Sequence, residues 1–327
     1  MRAPVGGAVM SGVLELMGPS PATEQARRAM TEAVGGMNPL MISAETGLDP
    51  VAVARAIHNA SERAGGAFVP VDCASADALR LDQQLFGPNP ADGGELEYVS
   101  EGSLLAGAFG GTLLIANVSE LPSHLQSRLA RILRERRIYT EARGSVALDV
   151  RIMATVRGNV EEDFRDGRLR RELRSRFVLT LEVPALRHRP SDIPMLIGCL
   201  VADAAAAAGV DVPAFSREAL SLLSALPWRR NLDELGEVLD LFVGAAAGGT
   251  IQLDDVLRHV AIERVTPRQA VSATLRDARS TFEREYIAAV LSRYGWRMDE
   301  AARNLGIQRT NLYRKVRQLG IARARAK

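Results

Sequence analysis

The 327-residue chain has only two cysteines, Cys73 and Cys199. That is too few for a disulfide framework or a cysteine-built zinc centre, and no metal site is expected. Each reads as a small buried side chain in a reducing compartment. No apolar run reaches the roughly 18 residues that a membrane-spanning helix needs. The apolar stretch near the start, "APVGGAVMSGVLELMG", is short and runs into Glu15, unlike the core of a signal peptide. Internal repeats and low-complexity tracts are lacking too. With 47% hydrophobic and 24% charged residues, no disordered class fits. The reading is a cytoplasmic globular protein with no membrane partner.

What is present is unevenly distributed. The formal charge is +2, yet positions 296–327 hold nine Lys or Arg against two acids, which leaves about −5 for residues 1–295. A basic C-terminal module points to nucleic acid. Upstream, "PLMIS", "AFVPVD", "GTLLIA", "LDVRIMATV" and "RFVLTLEV" are short apolar runs separated by amphipathic pieces such as "PVAVARAIHNASERA" and "HLQSRLARILRERR". That alternation predicts a parallel sheet covered by helices on both faces, an α/β fold of doubly wound type. After "RHRPSDIP" the strands cease and helices alone are predicted, with Ser216 a helix start and Gly248-Gly249 a stop. The polar, proline-bearing "ERVTPRQAVSAT" is the linker. A long helix over about 275–294 precedes two short ones.

"RMDEAARNLGIQRTNLYRKVRQLGI" has the pattern of a helix-turn-helix. Its apolar residues Ala301, Ala302, Leu305, Ile307, Leu312, Val316 and Leu319 are spaced to pack the two helices together. Gln308, Arg309, Thr310, Asn311, Tyr313, Arg314 and Lys315 remain for the outer face of the second helix. Arginine reads guanine edges, Asn and Gln read adenine, and Thr, Tyr and Lys hold phosphate oxygens. Double-stranded DNA is the expected partner, bound by at least a dimer, since one module of this size binds weakly. Phe282, Tyr286, Ile287, Val290 and Leu291 offer a pairing stripe.

At this point a resemblance becomes specific. "FEREYIAAVLSRYGWRMDEAARNLGIQRTNLYRKVRQLGI" resembles the Fis-type DNA-binding domain that ends NtrC-like bacterial enhancer-binding proteins, activators of sigma-54 RNA polymerase. "GPSPATEQARRAM", "VARAIHNASERAGGAFVPVDCA", "ELPSHLQSRLARILRERRIY", "RLRRELRSRF", "PALRHRPSDIP" and "LPWRRNLDEL" are similar, in order, to that family's AAA+ ATPase. The resemblance implies an N-terminal tail at 1–17, an AAA+ α/β subdomain at 18–186, a helical lid at 187–262, a linker at 263–273 and a Fis-type domain at 274–327. With about 17 residues before the AAA+ start, no receiver domain is expected.

The resemblance also fixes what each pocket position should be. The eight places of the family's phosphate loop fall on Ala44, Glu45, Thr46, Gly47, Leu48, Asp49, Pro50 and Val51. Pro50 stands where a lysine would neutralise phosphate, and it has no N–H to donate. Asp49 adds negative charge. Ala116 and Asn117 stand in the Walker B acid places, Val156 at the sensor asparagine and Asp233 at the sensor-two arginine. The polymerase-contacting segment is "PNPADGGELEYV" rather than GAFTGA, and "GAFGG" at 107–111 is a decoy of position. Arg170 and Arg176 match the arginine fingers.

These readings predict a sequence-specific DNA-binding transcriptional regulator on a degenerate AAA+ scaffold that is not an enzyme, has no catalytic residues, and has lost or weakened ATP and magnesium binding. Its further partners would be an intact AAA+ relative in a mixed oligomer and RNA polymerase. The alternatives are an ATP-hydrolysing sigma-54 activator with an unusual nucleotide site and a Fis-like architectural DNA-binding protein.

Overall fold

The computed structural model describes residues 13–75, 77–88, 96–246, 249–264 and 296–321 except 306, with single positions 284, 287, 290, 291 and 294. The chain divides into two compact units, Met1–Ile251 and Gln252–Lys327.

In the first unit, β1 (Leu40–Ala44), β2 (Phe68–Asp72), β3 (Thr112–Ala116), β6 (Arg151–Arg157) and β7 (Leu179–Glu182) form one sheet in the order β2-β3-β6-β1-β7. Every pairing is parallel. Side chains alternate across a strand, and here both faces are apolar. Leu40, Ile42 and Ala44 enter one core with Leu114 and Met153, while Met41 enters the other with Leu113, Ile115, Ile152, Ala154 and Val156. Helices α1 (Pro21–Val34) and α2 (Pro50–Ala60) cover the first face through Met30, Ala33, Val53 and Ile57. On the opposite face lie α3 (Ala78–Leu85), α4 (Leu104–Gly107), α5 (Ser123–Glu135), α6 (Val160–Arg165) and α7 (Arg171–Arg174), contributing Leu81, Leu85, Leu105, Leu125, Leu129, Ile132 and Leu173. The doubly wound sheet read from the sequence is the fold observed.

Capping residues set the helix starts. Ser20 accepts the Thr23 N–H at 3.2 Å ahead of Pro21, and Asp77 accepts the Arg80 N–H at 2.9 Å; both satisfy first-turn donors that have no partner inside the helix. The helical part of the unit holds α8 (Ile193–Ala208), α9 (Arg217–Ala225) and α10 (Asn231–Ala246), with α8 packed on α10. Ser216 caps α9 through the Ala219 N–H, as its position in the sequence suggests.

Two features were not expected. A hairpin of β4 (Arg137–Thr140) and β5 (Gly144–Ala147) follows α5, with Ile138 opposite Val146. It turns at Gly144, whose φ is +65°. The strands also do not cease after residue 190, because two-residue β8 (Ala214–Phe215) pairs in parallel with β9 (Thr250–Ile251).

The second unit contains α11 (Leu253–Arg264), α12 (Met298–Asn304) and α13 (Arg309–Gln318). Ile287, Val290, Leu291, Ala301, Ala302 and Leu312 form its buried centre, flanked by Trp296, Leu305, Ile307, Val316 and Leu319. Phe282 and Tyr286 of the expected pairing stripe, most of the 275–294 helix, the N-terminal positions 1–12 and the acidic segment 89–95 lie outside the described residues. Among the described residues, no helix is long and apolar enough to cross a membrane.

Candidate functional site

The loop after β1 runs from Glu45 to Asp49 at the C-terminal edge of the sheet, the edge where parallel α/β sheets hold ligands. Ala44 closes β1, buried, and its carbonyl accepts the Gly158 N–H at 2.7 Å. The Glu45 carboxylate forms a two-pronged ion pair with the Arg187 guanidinium. That pairing holds the Glu45 carboxyl below its ordinary range and raises the arginine. The Thr46 carbonyl accepts from Asn231 Nδ2 at 2.9 Å, and the Gly47 carbonyl accepts the Leu232 and Asp233 N–H groups at 3.0 and 3.2 Å. Gly47 has φ +82°, and a Cβ there would lie 1.7 Å from the Arg230 carbonyl oxygen. Only glycine satisfies both the backbone conformation and the close approach.

The far end of the loop is where a phosphate would meet the start of α2. Asp49 takes that place with its own carboxylate: Oδ1 accepts the Val51 N–H at 2.9 Å and the Ala52 N–H at 3.0 Å. Pro50 follows as the first helical residue, and Val51 packs half-buried against the core. The Asp49 N–H donates to Glu15 Oε1 at 3.0 Å. Glu15 is 6% exposed, and burial pushes its carboxyl above the usual range.

Beneath Glu15 lies Arg189, fully buried, whose Nη1 donates to the Glu15 carbonyl at 2.6 Å. Its Nε and Nη2 have no hydrogen-bond partner among the described residues. Asp192 beside it accepts the Ser20 N–H and hydroxyl and the Thr23 hydroxyl, at 2.6 to 2.7 Å. Leu48 donates its N–H to the Glu45 carbonyl at 3.2 Å, which closes the turn.

Ala116 ends β3 buried, and Asn117, which follows it, adopts a left-handed conformation with φ 54°. Its N–H donates to Thr155 Oγ1 at 3.0 Å and its Nδ2 to Asp72 Oδ1 at 2.7 Å. Val156 is fully buried in β6, opposite Ser43 of β1. Asp233 is exposed and reaches the loop through its backbone alone. Arg170 is exposed, with its N–H donating to Gln126 Oε1 at 2.8 Å, and Arg176 is half-buried with Nε unpartnered among the described residues. A cleft of about 1040 Å³ opens beside Glu45 and Arg187 and is bounded by Asn159, Glu161, Arg174 and Phe177.

The start of α2 is capped from within the chain. Two carboxylates of the chain itself take three backbone N–H groups there, and no lysine follows. Glu15, Arg187, Arg189, Asp192 and Asn231 were missed by sequence reasoning. Asn231 had one signal, its place directly before "LDEL", where the Leu186 N–H and Thr46 carbonyl meet its side chain.

In the second unit Leu312 is fully buried and fixes the rotation of α13. Gln308, Arg309, Thr310, Tyr313 and Arg314 are exposed, while Asn311 and Lys315 are half-buried. Arg309 pairs with Asp299 of α12 at 3.0 Å and lies over the Tyr313 ring. Arg303 and Arg317 are also exposed, and the outer-face reading did not include them.

A strand-loop-helix at the edge of a parallel sheet, a helical segment hydrogen-bonded to that loop and a separate helix-turn-helix define a protein of the AAA+ class with a DNA-binding module. Three domain families match in the same order. The sigma-54 interaction domain covers residues 16–182, the AAA+ ATPase lid domain 187–273 and the bacterial regulatory protein, Fis family, 278–319. The chain belongs to the sigma-54 interaction domain family, among transcriptional regulators with a DNA-binding helix-turn-helix.

Similar proteins include the nitrogen assimilation regulatory protein NtrX of Azorhizobium caulinodans, 30% identical over 311 residues, which cover 91% of this chain and 67% of that protein. The transcriptional activator RocR of Bacillus subtilis is 28% identical, covering 93% and 68%. The crystal structure of NtrX from Brucella abortus in complex with ATP superposes with a TM-score of 0.72 at 28% identity, covering 93% and 69%; its complex with ADP gives 0.71 at 29%. RuvB of Thermotoga maritima, at 15% identity and TM-score 0.53, shares the fold. The chain thus spans about two thirds of the length of these regulators.

These matches correct two expectations. A chain that is not an enzyme does not accord with membership in an AAA+ ATPase family. A site without a nucleotide cofactor does not accord with the ADP and ATP complexes of Brucella NtrX, a structure that matches 93% of this chain. The expectation that ATPase activity is lost and that ATP and magnesium binding are lost or weakened went beyond what six side chains, at positions 49, 50, 116, 117, 156 and 233, determine.

Proposed function

We propose that this chain is a sequence-specific DNA-binding transcriptional regulator that acts as an oligomer and takes a nucleotide at the loop over Glu45–Asp49. The observation that carries the DNA reading is the burial of Leu312, which turns Gln308, Arg309, Thr310, Tyr313 and Arg314 outward together on α13. Such side chains match the edges and phosphates of a major groove. The nucleotide reading draws on Brucella NtrX, crystallised with ADP and with ATP. Transcription as the process is supported by the named roles of NtrX and RocR.

Competition binding on selected random duplexes, with and without Mg-ATP, tests both parts. With five or six phosphate contacts per copy, affinity should fall by orders of magnitude between about 50 and 200 mM salt, while one duplex family outcompetes the rest. Equal affinity for every duplex would replace the regulator with an architectural binder.

Arg170 and Arg176 join this reading as groups that reach a neighbouring subunit's nucleotide, in a homo-oligomer or beside an intact relative. The ATPase rate of a mixed assembly should drop with Arg170→Ala and Arg176→Ala. An unchanged rate would remove them from the site. RNA polymerase is the target such a regulator would contact, and co-purification on promoter DNA tests it.

A further inference from the structure

The hairpin of β4 and β5 turns one face to the core and the other to solvent. Ile138 is buried with Val146 opposite it, while Arg137, Tyr139, Ser145 and Ala147 are exposed on the outer face. The Arg137 guanidinium is held across the two strands: Nε and Nη2 donate to Ser145 Oγ at 3.0 and 2.9 Å, and Nη2 also donates to the Ser145 carbonyl at 3.2 Å. Tyr139 is 47% exposed on a strand that is fixed along its other edge as well. Its N–H donates to the Glu97 carbonyl and its carbonyl accepts the Val99 N–H, both at 2.9 Å. Arg136 at the entry and Arg143 in the turn are exposed and enter no ion pair among the described residues. Positions 136–147 therefore hold three arginines against one acid, although residues 1–295 carry a formal charge of about −5.

We propose that this ribbon is a second DNA contact, separate from α13, in which Arg136, Arg137, Arg143 and the Tyr139 hydroxyl hold duplex phosphates without reading sequence. Arg and Tyr side chains donate to phosphate oxygens, and a two-stranded ribbon is an element that a duplex groove admits. The proposal rests on the DNA reading above and adds a surface to it. A duplex is favoured over an acidic protein because the same polypeptide carries the helix-turn-helix, so that a second contact forms at a high effective concentration of DNA.

The test is fluorescence anisotropy of the full chain on a long labelled duplex that carries the selected site, titrated with salt. The hairpin variant Arg136→Gln, Arg137→Gln, Arg143→Gln is compared with wild type and with a control, Arg80→Gln, Arg165→Gln, Arg217→Gln. That control removes the same charge from exposed positions elsewhere in the first unit, and thermal melts verify that both variants fold. In the hairpin variant the slope of log affinity against log salt should shrink by about two to three, at about 0.9 per phosphate contact, with the preference among duplexes unchanged. The control should keep the wild-type slope. A wild-type slope in the hairpin variant would overturn the proposal, and so would an equal loss in both variants, since that would trace to net charge alone. If wild type itself binds no duplex, the DNA reading and the proposal fall together.

Discussion

Gly47→Ala probes the joint between loop and helical segment most directly. At φ +82° an alanine carries a backbone cost of about 1–2 kcal/mol. Its Cβ would also stand 1.7 Å from the Arg230 carbonyl oxygen, which is backbone and has no rotamer to escape into. Loop and helix must separate, which breaks the Gly47 carbonyl's bonds to the Leu232 and Asp233 N–H groups at 3.0 and 3.2 Å, each about 1 kcal/mol net. Asn231, fully buried, loses the Thr46 carbonyl with them, about 1 kcal/mol more. The sum is about 4 kcal/mol, a drop of roughly 10 °C in midpoint for a unit of this size. Urea and thermal unfolding of the full chain measure it against Gly209→Ala. Gly209 has φ +67° with open space around it, so that variant carries the backbone cost alone. If the two variants unfold within about 1 kcal/mol of each other, the collision does not exist and the loop is not tied to α10 as described.

Three further outcomes follow from the same structure. His58 is buried against Thr112, and burial, then the nearby Arg55 and Arg151, lower its pKa from 6.5. The unfolded chain then binds more protons, so this stabilisation is complete above pH 6.5 and is lost as pH falls through the lowered folded value. His58→Gln should flatten the fall in urea midpoint between about pH 7 and pH 5, and an identical slope in both proteins would refute the assignment. Asp192→Ala strands three donors, from Ser20 and Thr23, and leaves Arg189 buried without its neighbouring carboxylate, at a cost of about 3–5 kcal/mol by chemical denaturation. Leu312→Ala should cost about 2–5 kcal/mol in the second unit and abolish duplex binding, whereas Arg314→Ala should keep the fold and reduce the salt slope by about one.

The sheet was legible because its strands are apolar on both faces, a pattern that only burial between two helical layers explains. Leu312 and its partners were legible because helix spacing and a glycine-containing turn constrain each other. The hairpin at 137–147 was hidden by its charge: Arg137, Glu141 and Arg143 interrupt the alternation that Ile138 and Val146 carry alone. The pair β8 and β9 is too short to leave a period. At the site, the loop was found through the helix that follows it, but its surroundings were not. Glu15, Arg187, Arg189 and Asn231 come from three distant stretches, and nothing in their spacing says that they meet. The expected loss of enzyme activity and nucleotide was overstated, because a family fold fixes a ligand through backbone geometry as well as through side chains.

The first turn of a helix has amide hydrogens with no partner of its own, and in α10 two of these go to the Gly47 carbonyl, some 185 positions back along the chain. Those two amides are then protected from solvent exchange only while the β1 loop stays in place. Hydrogen exchange at Leu232 and Asp233 therefore reports on the opening of a loop that neither residue belongs to, and the two segments exchange as one cooperative unit.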